Sequence, residues 1–146
     1  MNSRSIMHGV LGGLAGGVVF GAMMGMMGML PMIGQMVGAP YAAVGFVVHL
    51  GISALIGAAF PVLFGNRVTN RNTGVSFGLL YGSIWWILGP LTLMPLMMGM
   101  GVSWTIAGAT QAAPSLMGHL IYGGLLGWTY AQLAYHRPSV TAATAR

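Results

Sequence analysis

Four stretches of this chain run on without a single charged side chain: residues 9–30, 41–64, 75–98 and 114–135. A helix needs about 20 mostly apolar residues to cross the hydrocarbon of a bilayer, and each stretch is long enough. Only 3% of the 146 residues are charged and 56% are hydrophobic, whereas soluble domains carry roughly a quarter charged residues. The expected fold is an all-α integral membrane domain over residues 1–146 with four transmembrane helices. The first stretch should end at Pro31, and the polar break "GNRVTNRNTG", ending at Gly74, should separate the second from the third. Within the third connection, "WTIAGATQ" suggests a short interfacial helix, and the tail "HRPSVTAATAR" is expected to fray.

The charge is lopsided, with five Arg and no Asp, Glu or Lys. Arg4 precedes the first stretch, Arg67 and Arg71 lie between the second and third, and Arg137 and Arg146 follow the fourth. With four crossings these regions share one side, and the positive-inside rule makes that side, with both termini, cytoplasmic. The apolar run after Arg4 is too long for a signal peptide, and no Ala-x-Ala site closes it. The arginines are too few and dispersed to track nucleic acid; anionic lipid headgroups of the bilayer are their natural partners. Without acidic residues the chain cannot build carboxylate proton relays, Mg²⁺ or Ca²⁺ cages, glycosidase pairs or Ser-His-Asp triads. No Gly-rich stretch follows a strand, so a phosphate cradle is not expected. The absence of Cys removes thiolate chemistry and leaves the redox compartment open. A non-enzymatic role is the expectation.

The two halves echo each other. "MLPMIGQM" from Met29 resembles "LMPLMMGM" from Leu93, which pairs Pro31 with Pro95. His49 pairs with His119, and Gly9, Gly13 and Gly17 pair with Gly74, Gly78 and Gly82. Each half is then a hairpin of two spans with the same orientation, a parallel repeat about an axis along the membrane normal. Gly9, Gly13, Gly17, Gly21 and Gly25 recur at every fourth position, a glycine zipper. In lipid no hydrophobic force joins helices, and small residues permit the close approach that does. This face suits packing inside the four-helix bundle, or a seam between two copies of the chain.

The histidines lie on similar faces. Gly45, His49, Ser53 and Gly57 follow one another at helical spacing, as do Ser115, His119, Gly123 and Gly127. At 1.5 Å per residue, both imidazoles fall in the outer half of the bilayer, where polar groups turn towards the bundle interior. In one reading each ring bonds a neighbour, such as Ser53 or Tyr122, and only holds the bundle together. In another, His49 and His119 ligate one tetrapyrrole metal, since neutral imidazole is a good axial ligand. In a third, thioethers from Met29, Met32 and Met36 join those of Met94, Met97, Met98 and Met100 in a soft Cu(I) site; Met32, Met36, Met97 and Met100 are its candidate ligands. Met is equally an adaptable filler of apolar interiors. Tyr41 and Trp104 suit the outer interface, and Phe64, Trp128, Tyr130 and Tyr135 the inner one. Trp85 and Trp86 fall mid-span, as lipid-facing or packed bulk, or with one of them as the wall of a ligand cleft near the His pair.

The run "GHLIYGGLLG" on a Gly-rich span, with "GLLYGSIWWILGPLTLMPLMMGM" before it, resembles small bacterial inner-membrane proteins of the YagU type. The resemblance implies a multi-pass protein of the bacterial inner (plasma) membrane and no particular chemistry. This chain is shorter than those proteins and lacks their acidic residues. The leading functional expectation is a membrane subunit of a larger complex or homo-oligomer, with a tetrapyrrole possible at the His pair. The alternative is a small transporter or channel for a metal ion such as copper, or for a neutral solute.

Overall fold

Backbone polar groups in lipid find no water, so they must bond within their own helix. The structure, a computed structural model, describes residues 3–135, and among them no strand occurs. The tail, with Arg137 and Arg146, lies outside the described residues. The helices are α1 (Ser3–Met26), α2 (Leu30–Gln35), α3 (Ala42–Phe64), α4 (Arg71–Leu88), α5 (Met94–Met97) and α6 (Ile106–Tyr135), and a π-helical turn at Gly89–Leu93 joins α4 to α5. Three segments are long and apolar enough to cross a membrane: Ser3–Met26, Ala42–Phe64 and Arg71–Met97. At 30 residues α6 is longer still, but His119, Gln132 and its tyrosines lower its hydropathy.

The expected segments differ from the observed helices in three regions, and the fourth segment starts at Ile106 instead of Pro114. The first helix does not run over 9–30: it starts at Ser3 and stops at Met26, and Pro31 opens α2 instead of ending α1. Gly28 adopts a left-handed φ of 69°, and Met29 N–H bonds back to Met24 O while Gly28 N–H bonds to Gly25 O. This pattern turns the chain sharply and needs glycine; Pro31, lacking an N–H, then suits a helix start. The third span is not one α-helix over 75–98. It begins at Arg71 behind an Asn70 capping box and breaks at Gly89–Pro90, where proline can make no backbone N–H bond. No separate interfacial helix forms at "WTIAGATQ"; most of it is the first part of α6, which continues through Pro114.

Helix α1 is the hub. Gly9 and Gly13 meet Gly57, and Gly13 and Gly17 meet Ser53, so these glycines seat α1 on α3. A second glycine face, Gly12 and Gly16, meets the backbone of Leu126 and Tyr122 on α6. On the far side Gly74 and Gly78 meet Gly127 and Gly123, and Gly82 meets His119, which joins α4 to α6. Gly45 seats α2 on α3 through the Leu30 carbonyl, Gly21 faces the Phe46 and His49 rings, and Gly25 is exposed beside Leu30.

Close backbone packing thus links α3 to α1, α1 to α6 and α6 to α4. The remaining α3–α4 side is bridged by side chains. In one half of the bundle Phe60 contacts Tyr81 at 5.4 Å and Tyr130 at 5.5 Å, and Phe64 stacks on Phe77 at 5.3 Å. Phe60, Tyr81, Leu126 and Tyr130 are buried there. Tyr130 and Phe64, expected near the inner interface, join this cluster, and the Tyr130 hydroxyl pairs with the half-buried Ser5 hydroxyl at 2.9 Å. The same end of the molecule gathers Arg71 on Gln132 at 2.7 Å and the Tyr135 hydroxyl on Val68 O.

Candidate functional site

In the other half of the bundle the α3–α4 side is open, and a cleft of about 210 Å³ occupies it. Its inner wall is Phe20 and Met24 of α1. His49, Ile52, Ser53 and Ile56 of α3 form one side; Trp85 of α4 and Gly89, Pro90 and Leu93 of the π turn form the other. Ser115, His119 and Tyr122 of α6 close the back, while Met29, Met32, Ile33 and Met36 from the α2 region and Met94 and Met97 from α5 form the rim. The lining is mostly apolar, and its polar groups come from α3 and α6. Trp85 walls the cleft, whereas Trp86 donates its Nε1–H to Ala112 O at 3.0 Å.

The cleft exists because of what the helices can and cannot do locally. Glycines bring α1 against α3 and α6, but α4 has no such seam with α3. Gly89 and Pro90 then interrupt α4 at the level of His119: a Cβ on Gly89 would lie 3.6 Å from His119 Nε2. π turns of this kind recur at functional sites. Leu91 O accepts the Ser103 N–H at 2.8 Å, which fastens the connection after α5 to the turn.

The two imidazoles meet the same ring. Phe20 stands edge-to-face against His49 at 5.4 Å and His119 at 4.8 Å. Gly118 makes room for it, because a Cβ there would overlap the phenyl ring. The nitrogens are used differently. His49 Nε2 lies 3.0 Å from Gly17 O, so it carries the proton and donates to α1, with Ser53 Oγ at 3.5 Å. His119 Nδ1 donates instead to Ser115 O, one turn back on its own helix, at 2.8 Å. Its Nε2 then holds a lone pair and makes no hydrogen bond. No buried side-chain nitrogen or oxygen among the described residues lacks a partner, so this Nε2 is reached from the cleft. Tyr122 spends its hydroxyl on Ser53 O and Tyr81 on Ile56 O, each at 2.8 Å.

The structure brings His49, His119, Met32, Met36 and Met97 to one cleft and leaves Met100 outside it, exposed. One metal shared through the two Nε2 atoms is not what this arrangement offers, since the His49 atom is committed to Gly17 and both rings abut Phe20. Sequence reasoning passed over Phe20, Gly12, Gly16 and Gly118. Phe20 is the single aromatic residue between residues 9 and 30, and Gly12 and Gly16 repeat the four-residue spacing one position aside. Compared with known protein families, curated proteins and solved structures, the chain matches none of them.

Proposed function

We propose that this chain is a non-enzymatic, four-span protein of the bacterial inner membrane that packs within a larger membrane complex or with its own copies and holds a small ligand in its cleft. The observation that carries this reading is convergence: both histidines and six methionines, drawn from both halves of the chain, border one cavity. α6 is the fourth span, long enough and packed along α1 and α4. The repeat is supported by matched seams, since Gly9, Gly13 and Gly17 meet Gly57 and Ser53 as Gly74, Gly78 and Gly82 meet Gly127, Gly123 and His119. Arg4, Arg67 and Arg71 orient the sealed end to the cytoplasm. The likeness of "GHLIYGGLLG" to YagU-type proteins agrees with this reading and adds no mechanism.

The cavity volume limits the ligand. At about 210 Å³ it falls below the roughly 300–1,000 Å³ of drug-sized pockets, and Phe20 stands where a ring between the imidazoles would lie. A tetrapyrrole does not fit these residues as they are arranged. The test is native purification with absorption spectroscopy and identification of what co-purifies. A saturable small ligand displaced by Ile56→Trp is the expected result. A Soret band lost in both His variants would overturn the size argument.

The six methionines favour a second reading, a Cu(I) carrier, because thioether and imidazole are soft-metal donors. In that case Met32→Leu with Met97→Leu should weaken Cu(I) binding in competition with a colorimetric chelator. Unchanged Cu(I) affinity in the double variant would remove this reading.

A further inference from the structure

The cleft has an unspent polar valence of known direction, and that valence selects its ligand. Each His, Ser and Tyr side chain on the lining makes at least one hydrogen bond inside the protein: His49 Nε2 with Gly17 O, Ser53 with His49, Ser115 with Ala112 O, Tyr122 with Ser53 O, and His119 Nδ1 with Ser115 O. His119 Nε2 is left as an acceptor facing the space beside Gly89. The rest of the wall is thioether, aliphatic and aromatic. Such a site rejects ions and polyols, which would leave groups unpaired in an apolar cavity. It suits one hydrogen-bond donor on an otherwise apolar body.

Size and route narrow this further. A dry cavity of about 150 Å³ takes benzene, so about 210 Å³ takes a fused or alkylated single ring. The open side lies between α3 and α4, and Ile52 on that side is partly exposed. A ligand dissolved in the bilayer therefore reaches the cleft laterally without crossing the polar ends of the bundle.

The geometry points to a monohydroxylated aromatic of the phenol or naphthol class, entering from the lipid between α3 and α4 and donating its hydroxyl to His119 Nε2. This rests on the reading of the cleft as a ligand site, and the experiment separates the two. Binding of 1-naphthol and of naphthalene is measured on the full chain in lipid nanodiscs, with imidazole ¹⁵N resonances as a second readout. 1-Naphthol should bind roughly tenfold more tightly, as one added hydrogen bond in an apolar site requires. It should shift the His119 Nε2 resonance and leave the His49 signals in place.

His119→Phe keeps the ring and removes the acceptor, so the two probes should then bind alike. His119→Gln restores an acceptor and should restore part of the preference, which guards against a folding defect in the first variant. Ile56→Trp should abolish both. Equal affinity of the two probes in the wild type, or a preference that survives His119→Phe, overturns the hydroxyl assignment while leaving the cleft. Binding of neither probe, or binding that Ile56→Trp leaves unchanged, overturns the ligand-site reading with it. Stoichiometric Cu(I) uptake that eliminates an otherwise equal binding of both probes decides for the soft-metal reading and against this one.

Discussion

His49 and His119 match in sequence position and differ in what they hold. The Nε2–H of His49 reaches across to Gly17 O and ties α3 to α1, whereas His119 bonds its own helix. Interhelical bonds in membranes contribute about 0.6 kcal/mol on average and up to about 1.7, and the edge contact with Phe20 adds to this. His49→Ala should therefore lower unfolding stability in mixed micelles by about 1–2 kcal/mol, and His119→Ala by about half as much. Equal losses that do not add in the double variant would show instead that the pair acts as one unit. Phe20 gives a second expectation. It is buried between the two rings and Gly118, so it cannot yield to an added methyl. Gly118→Ala should cost about 1–3 kcal/mol, the usual effect of overpacking, and should alter ligand binding in the cleft; an unchanged melting temperature would contradict this packing. The matched spacing made the histidines visible in the sequence, but their partners were not, because a carbonyl acceptor such as Gly17 O leaves no trace in residue identity.

At the level of helices, the apolar runs located the long elements well and their ends poorly. The run over residues 41–64 differs from α3 by one residue at its start. Hydropathy does not distinguish a helix from a turn made of the same apolar residues, so the break at Gly28 and the π turn at Gly89–Leu93 were hidden inside apolar runs. Pro31 was legible as a boundary but not as a start, since its effect depends on the left-handed Gly28 before it. The zipper glycines carry the element-level prediction. Gly13 and Gly78 lie at corresponding seams, α1 on α3 and α4 on α6, each against another glycine. A leucine at either place separates two backbones whose close contact is the main attraction. Gly13→Leu and Gly78→Leu should each destabilise the chain by at least about 1–3 kcal/mol, whereas Gly51→Leu, with open space around it, should change stability little. Loss of oligomer size with intact monomer stability in Gly13→Leu would assign that seam to a contact between copies instead.

On the scale of the whole molecule, one end of the bundle is sealed and the other is open. Phe60, Tyr81 and Tyr130, with Phe64 and Phe77 beside them, fill the α3–α4 side near Arg67 and Arg71. At the far end the same side holds the cleft, and Met32, Met36 and Met97 at its rim are exposed. A small apolar chain achieves this asymmetry with residue size and one broken helix, large rings at one depth and thioethers beside the π turn at the other. The orientation of that asymmetry is testable without background, because the chain has no cysteine of its own. In the proposed orientation the arginine-bearing sealed end faces the cytoplasm, so single cysteines placed for Met36 or Met97 should react in intact cells with a membrane-impermeant maleimide. Cysteines placed for Phe60 or Tyr81 should be protected from the same reagent, and a cysteine for Asn72 should react only after the cells are opened. A reporter fused after Arg146 should read cytoplasmic and one inserted at Val102 should read the opposite side. Labelling of the Asn72 position in intact cells would invert the protein in its membrane and place the methionine rim of the cleft towards the cytoplasmic face.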